Sequence, residues 1–126
     1  MRAKIVLAIV TALAATNLAA GAAFADGDAA AGEKVFRKCK ACHSTEAGKN
    51  KIGPSLHGVV GRKAGTEEGY KYSSAMADSG LIWNEETLDK YLEKPRDVVP
   101  GTKMTFAGLR KEQDRQDVIA YLETLK

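Results

Sequence analysis

Cysteine is scarce in this chain of 126 residues: Cys39 and Cys42 are the only two. A framework of several disulfides is therefore excluded. No second cysteine or histidine pair follows them, which argues against a structural zinc site. Strand-like alternation of polar and apolar residues is nearly absent, so the βαβ surroundings expected of a thioredoxin-like dithiol are missing. The excess of basic residues is small, 19 Lys and Arg against 16 Asp and Glu. Nucleic-acid-binding domains usually carry a much stronger one. Long apolar runs are missing too. The run from Ile5 to Ala15 is followed at once by Thr16 and Asn17, short of the about 20 apolar residues that span a membrane. Repeats and low-complexity stretches are absent, and Trp83 is the one tryptophan.

The start of the chain reads as an export signal. Arg2 and Lys4 precede the apolar run, and Ala23-Phe24-Ala25 is a small-x-small cleavage site before Asp26. The expected organisation is a cleaved signal peptide over residues 1–25 and one domain over 26–126, located in the periplasm. The signal carries two basic and no acidic residues, so the mature domain is closer to neutral than the full chain.

Cys39-Lys40-Ala41-Cys42-His43 is the most informative stretch. C-x-x-C-H reads as a covalent attachment site for c-type haem. Two thiols spaced this way reach both vinyl groups of one haem edge, and the following histidine is placed to bind iron. A structural disulfide between the two cysteines remains the alternative in an exported protein.

The rest of the chain predicts an all-α domain. A first helix is expected from about Asp28 to Cys42, with Asp26 or Asp28 as its cap and Val35 and Phe36 on the face shared with Gly32. Residues 44–72 predict a long irregular stretch, unusual in a small domain unless it wraps something. A short helix is expected over 73–79. Asn84-Glu85-Glu86 starts another helix that stops near Lys94, because Pro95 disfavours α geometry before it. Residues 96–110 predict a loop. The last helix is expected over 111–125, with Val118, Ile119, Leu122 and Leu125 as its apolar stripe.

The order of short motifs resembles class I cytochrome c, in the branch close to the mitochondrial protein. The residues that carry the resemblance are Gly53-Pro54-Ser55-Leu56-His57-Gly58, Gly61-Arg62-Lys63, Tyr70-Lys71-Tyr72, Gly80-Leu81-Ile82-Trp83 and Tyr91-Leu92-Glu93-Lys94-Pro95. Pro100-Gly101-Thr102-Lys103-Met104-Thr105-Phe106 and Asp117-Val118-Ile119-Ala120-Tyr121-Leu122 complete it. The resemblance implies the class I fold: three main helices, short helices and long loops wrapped around one covalent haem c. It implies His43 and Met104 as the axial iron ligands, with His57 the rival nitrogen for the sixth position. A soft thioether favours ferrous iron, so such a pair raises the reduction potential. With both axial positions filled, the function implied is one-electron transfer and not catalysis on a substrate.

By the same resemblance, the Pro54 carbonyl accepts from His43, and Tyr91 points its hydroxyl at Met104. Tyr72 and Trp83 donate to haem propionates, with Arg62 and Thr102 nearby, and Phe106 covers the haem face. Gly32, Phe36, Val118 and Tyr121 form the crossing of the first and last helices. Met76 stands where the mitochondrial pattern often has a polar residue. Lys38, Arg96, Lys103, Arg110 and Lys111 ring the exposed haem edge. The acids Glu85, Glu86, Asp89, Glu112, Asp114 and Asp117 fall elsewhere. The partners implied are a cytochrome bc-type complex as donor, and a terminal oxidase, photosynthetic reaction centre or periplasmic reductase or dehydrogenase. No nucleic acid, no stable membrane insertion and a monomer are expected. The competing reading is an enzyme or gas sensor with a labile Met104.

Overall fold

The structure is a computed structural model that describes residues 27–126. The expected signal peptide lies outside the described residues, as does Asp26. Five helices follow in order: α1 Ala29–Phe36, α2 Ser74–Ala77, α3 Glu85–Glu93, α4 Pro95–Val98 and α5 Glu112–Glu123. Among the described residues the only β pairing is an isolated antiparallel bridge between Lys63 and Ile82. No described helix is long and apolar enough to cross a membrane.

Helix α1 starts where Asp28 caps it, its carboxylate accepting from the backbone N–H of Ala30 and Ala31. It ends at Phe36, six residues before the expected Cys42. Residues 37–43 continue as turns, with bonds such as Cys39 N–H to Phe36 O and Cys42 N–H to Cys39 O spanning three residues. This tighter winding places both thiols and His43 on a compact corner.

Helices α1 and α5 cross at Gly32. The crossing is fastened by Asp117, whose carboxylate accepts from the backbone N–H of Asp28 and from Gln113 at 2.9 Å each. The Phe36 and Tyr121 rings meet at 5.2 Å between centroids. Asp117 lies away from the cavity rim as expected of the acids, and it is buried at this crossing, both bonds going to Oδ1. Asp89, another of those acids, accepts from Arg115 Nε at 2.8 Å. Arg115 is itself buried, and its guanidinium also donates to the carbonyls of Leu109 and Arg110. It therefore ties α5 to α3 and to the loop between α4 and α5.

Helix α3 stops at Glu93 as expected, but Pro95 then opens α4 inside the predicted loop. Proline lacks an N–H and has a preset φ, so the residue that ends one helix suits the first position of the next. The stop also frees the Leu92 carbonyl, which accepts from Leu109 N–H at 2.7 Å. Val99 N–H donates to Pro95 O at 2.9 Å. The segment between Val99 and Leu109 is thus pinned to the α3–α4 corner at both ends.

The long stretch between α1 and α2 satisfies its polar groups from within. Ser55 is fully buried; its hydroxyl donates to Glu46 O at 2.6 Å and its N–H to Asn50 Oδ1 at 3.0 Å. Arg62 donates to the carbonyls of Ser55 and His57 and pairs with Glu67 at 2.8 Å.

Where α3 begins and α5 ends, Glu85 and Glu123 meet. Hydrogen bonding to Glu85, then burial and repulsion, pushes the Glu123 carboxyl up to about 7, with Lys126 opposing. The folded chain holds this proton more tightly than the unfolded chain does. Stability should therefore fall as pH rises from the ordinary carboxylate range to about 7. The site is near the surface, so the loss should be no more than about 1 kcal/mol. Glu123→Gln should flatten the dependence and raise the urea midpoint at pH near 8. Equal midpoint shifts at pH near 5 and near 8 would count against the shared proton.

Candidate functional site

The turns after α1, the long loop, α3 and the Val99–Leu109 segment enclose one cavity of about 450 Å³. Its size suits a small molecule or cofactor. Cys39, Cys42 and His43 line it from the corner after α1, and Met104 and Phe106 from the pinned segment. Pro54, Arg62, Tyr72, Trp83, Tyr91 and Thr102 line it as well. The site residues expected from sequence, scattered over 68 positions, therefore converge on one space. His57 is not among the lining residues; its backbone is used instead, the N–H donating to Ser55 and the carbonyl accepting from Arg62.

His43 is oriented by its neighbours. Its Nδ1 lies 2.8 Å from the Pro54 carbonyl oxygen. A carbonyl only accepts, so Nδ1 carries the proton and Nε2 keeps its lone pair. Burial pushes the imidazolium pKa down, although the Pro54 bond opposes this, and Lys51 and Arg62 push in the same direction as burial. The ring is therefore held in the neutral form that binds metal. Gly53 makes room for it: a Cβ there would lie 2.7 Å from Nδ1. That requirement was not read from the sequence, where Gly53 stands as a motif residue only.

No disulfide joins Cys39 and Cys42. Burial, reinforced by Cys42, pushes the Cys39 thiol up against the pull of Lys38. This is opposite to the lowered thiol pKa of a dithiol oxidoreductase. Among the described residues no three His, Cys, Asp or Glu side chains converge on one point, so a zinc reading lacks its second pair of ligands.

Met104 is placed by its own loop and by α3. Its N–H donates to Thr102 Oγ1 at 3.3 Å, and the Tyr91 hydroxyl lies 3.8 Å from its sulfur. Burial raises the Tyr91 phenol above the usual tyrosine range, so it stays a neutral donor. Trp83 packs on Tyr91 with ring centroids 4.8 Å apart. The Tyr72 hydroxyl accepts from Glu67 N–H at 3.0 Å.

Several lining residues were not among the site residues expected from sequence, Met76, Tyr70 and Ile52 among them. Met76, capped into α2 by Ser73, is a buried part of the wall. Tyr70 and the exposed Ile52 line the cavity from its rim. Tyr70 stands in the sequence as a motif residue and Met76 as a departure from the family pattern, and neither carries a local sign of a place in the wall. Of the expected docking cations, Lys38, Arg96, Lys103, Arg110 and Lys111 are all exposed, and Lys38 and Lys103 reach the cavity wall.

The arrangement offers two thiols, one imidazole with a free nitrogen and one thioether to a largely apolar space. That donor set fits a covalently held haem, its iron bound by nitrogen and sulfur. The model of the family described as cytochrome c matches residues 29–126. Cytochrome c2 of Rhodomicrobium vannielii is 56% identical over 103 residues, covering 81% of this chain and 82% of that protein. Cytochrome c of Euglena viridis is 50% identical over 101 residues, 79% of this chain and 99% of that protein. Among solved structures, cytochrome cH from Methylobacterium extorquens is 52% identical, with a TM-score of 0.75 over 78% of this chain and 99% of that one.

Proposed function

The chain belongs to the cytochrome c family, and from that premise we propose the roles of its residues, its partners and its location. The protein is a class I cytochrome c, an electron carrier with one covalent c-type haem. Cys39 and Cys42 would hold the haem through thioether bonds, and His43 and Met104 would bind its iron. The haem, when bound, supplies a one-electron ferric–ferrous couple. The observation that carries this assignment is the convergence of both thiols, the oriented His43 imidazole and the Met104 thioether on one cavity.

The protein's residues set the conditions of that couple. The Pro54 carbonyl fixes the ring of His43 and raises its basicity. Tyr91 offers a neutral hydroxyl to the Met104 sulfur, drawing density from it. Tyr72, Trp83, Arg62 and Thr102 are the candidate partners for the propionates, and Phe106 excludes water from the Met104 side. With His43 and Met104 both on the iron, no position would remain there for a substrate, and the haem would serve one-electron transfer alone. The test is the visible spectrum of periplasm-expressed protein. Colour should survive denaturation, the ferric form should show the weak far-red band of sulfur ligation, and the ferrous form should resist carbon monoxide. Ready binding of carbon monoxide at neutral pH would instead support an enzyme or sensor.

The carrier works in the periplasm after loss of residues 1–25. It takes electrons from a cytochrome bc-type complex and delivers them to an oxidase, a reaction centre or a periplasmic redox enzyme. Lys38, Arg96, Lys103, Arg110 and Lys111 form the positive docking face. Steering by such a face makes electron-transfer rates fall steeply with added salt. A flat salt response with every such partner would remove the steering role.

A further inference from the structure

Tyr70 belongs to none of the roles assigned above, yet it touches both sides of the cavity rim. Its hydroxyl donates to the Ile52 carbonyl at 2.8 Å, across 18 residues. Ile52 directly precedes Gly53, the residue packed under the His43 ring. Above the Tyr70 ring sits the Lys103 ammonium, 4.6 Å from its centroid. Lys103 also donates to the carbonyl of Lys71, the next residue in the chain. Lys103 in turn directly precedes Met104. Tyr70 is itself braced by an edge-on contact with Tyr72, centroids 4.8 Å apart. Asn50, which donates to Glu68 O at 3.0 Å, adds a second tie between the same two loops.

Resting on the ligand assignment made above, we propose that Tyr70 is a positioning residue, a two-sided clasp that holds the Met104 segment closed against the His43 segment. The ends of the Met104 segment are pinned at Val99 and Leu109, but no backbone–backbone bond ties residues 103–108 to the rest of the chain. Displacing Lys103 outward moves the Met104 backbone with it. The ties across the rim that resist this are the ammonium–ring contact and the bond to Lys71. The Tyr70 hydroxyl keeps the platform itself from swinging away from the His43 side. Both contacts are at a half-exposed rim, where each is of ordinary strength. The clasp therefore sets how often Met104 releases its position, and leaves the closed geometry as it is.

The experiment uses the haem-loaded ferric protein at one fixed neutral pH, with imidazole as a competitor for the place of Met104. The far-red sulfur band reports occupancy. Tyr70→Phe keeps the ring and loses the hydroxyl bond; imidazole should displace Met104 about three-fold faster than in wild type. Tyr70→Leu loses both contacts and should do so about ten-fold faster. Lys103→Gln should lie between them, and Tyr70→Leu combined with Lys103→Gln should fall short of the product of its singles because both remove the ammonium–ring contact. The resting far-red band should be unchanged in Tyr70→Phe. Displacement rates at the wild-type value in both Tyr70→Phe and Lys103→Gln would overturn the clasp, all the more if their melting temperatures fall, since that marks a purely structural role. A wild-type protein without the sulfur band would overturn the Met104 assignment itself, and the clasp with it.

Discussion

Gly32→Val is expected to leave little folded protein, with a loss of about 4 kcal/mol or more in urea unfolding. A Cβ at position 32 would overlap the carbonyl oxygen of Asp117, lie 2.5 Å from its carbon and 2.8 Å from Tyr121 Cβ. The obstacle is backbone on one side and the root of a side chain on the other, so no rotamer change relieves it. The helices would have to part. Parting them breaks the bond from Asp28 N–H to Asp117 and opens the contact between Phe36 and Tyr121. It also wets the deepest part of the core, where Phe36 and Val118 are each 1% exposed. Even a gap below 1 Å forfeits a large part of the dispersion energy of every atom pair across it. Small domains have about 5–15 kcal/mol in total. The gain in helix propensity on replacing glycine, under about 1 kcal/mol, does not offset this. Lys34→Ala, one turn away on the exposed face, should stay within about 0.5 kcal/mol. A Gly32→Val loss below about 1 kcal/mol would mean the crossing is looser than described.

The second large effect concerns the iron ligands. Met104→Ala should abolish the far-red sulfur band, admit carbon monoxide to the ferrous protein and lower the reduction potential by a few tenths of a volt, within the about 0.8 V range that axial ligands command. The fold should persist, because the segment carrying Met104 is anchored by Val99 and Leu109 and by Arg115 on the Leu109 and Arg110 carbonyls. His57→Ala is the matched control: its ring is absent from the cavity wall, so the band should remain. If His57→Ala removed the native low-spin spectrum while Met104→Ala spared it, the two residues would exchange roles.

Much of the site was legible because its chemistry is local. Cys39, Cys42 and His43 are neighbours whose spacing is dictated by one rigid ring. The stop of α3 at Lys94 follows from Pro95 alone, and the cap of α1 from Asp28. What stayed hidden depends on partners distant in the chain. The α1–α5 crossing binds Asp117 to the Asp28 backbone, and Arg115 of α5 pairs with Asp89 of α3. Helix α4 was read as loop because a proline that ends a helix and one that begins a helix look alike in sequence. Tyr70 stands in the sequence as a motif residue only, since its contacts with Ile52 and Lys103 lie 18 and 33 positions away. The family resemblance placed Met104 where its own composition could not, because a lone methionine is more often core filling.

The corner made by Pro95 has one more consequence, for how the chain can vary in length. Loops whose ends float on the surface absorb added residues at little cost. The span from Val99 to Leu109 has both ends stapled to the same helix corner, and Met104 sits at its middle. It behaves as a ruler of fixed length. One residue more or fewer would slide the sulfur off the cavity, or tear Leu109 from the Leu92 carbonyl. Insertions and deletions should therefore be purged from this span.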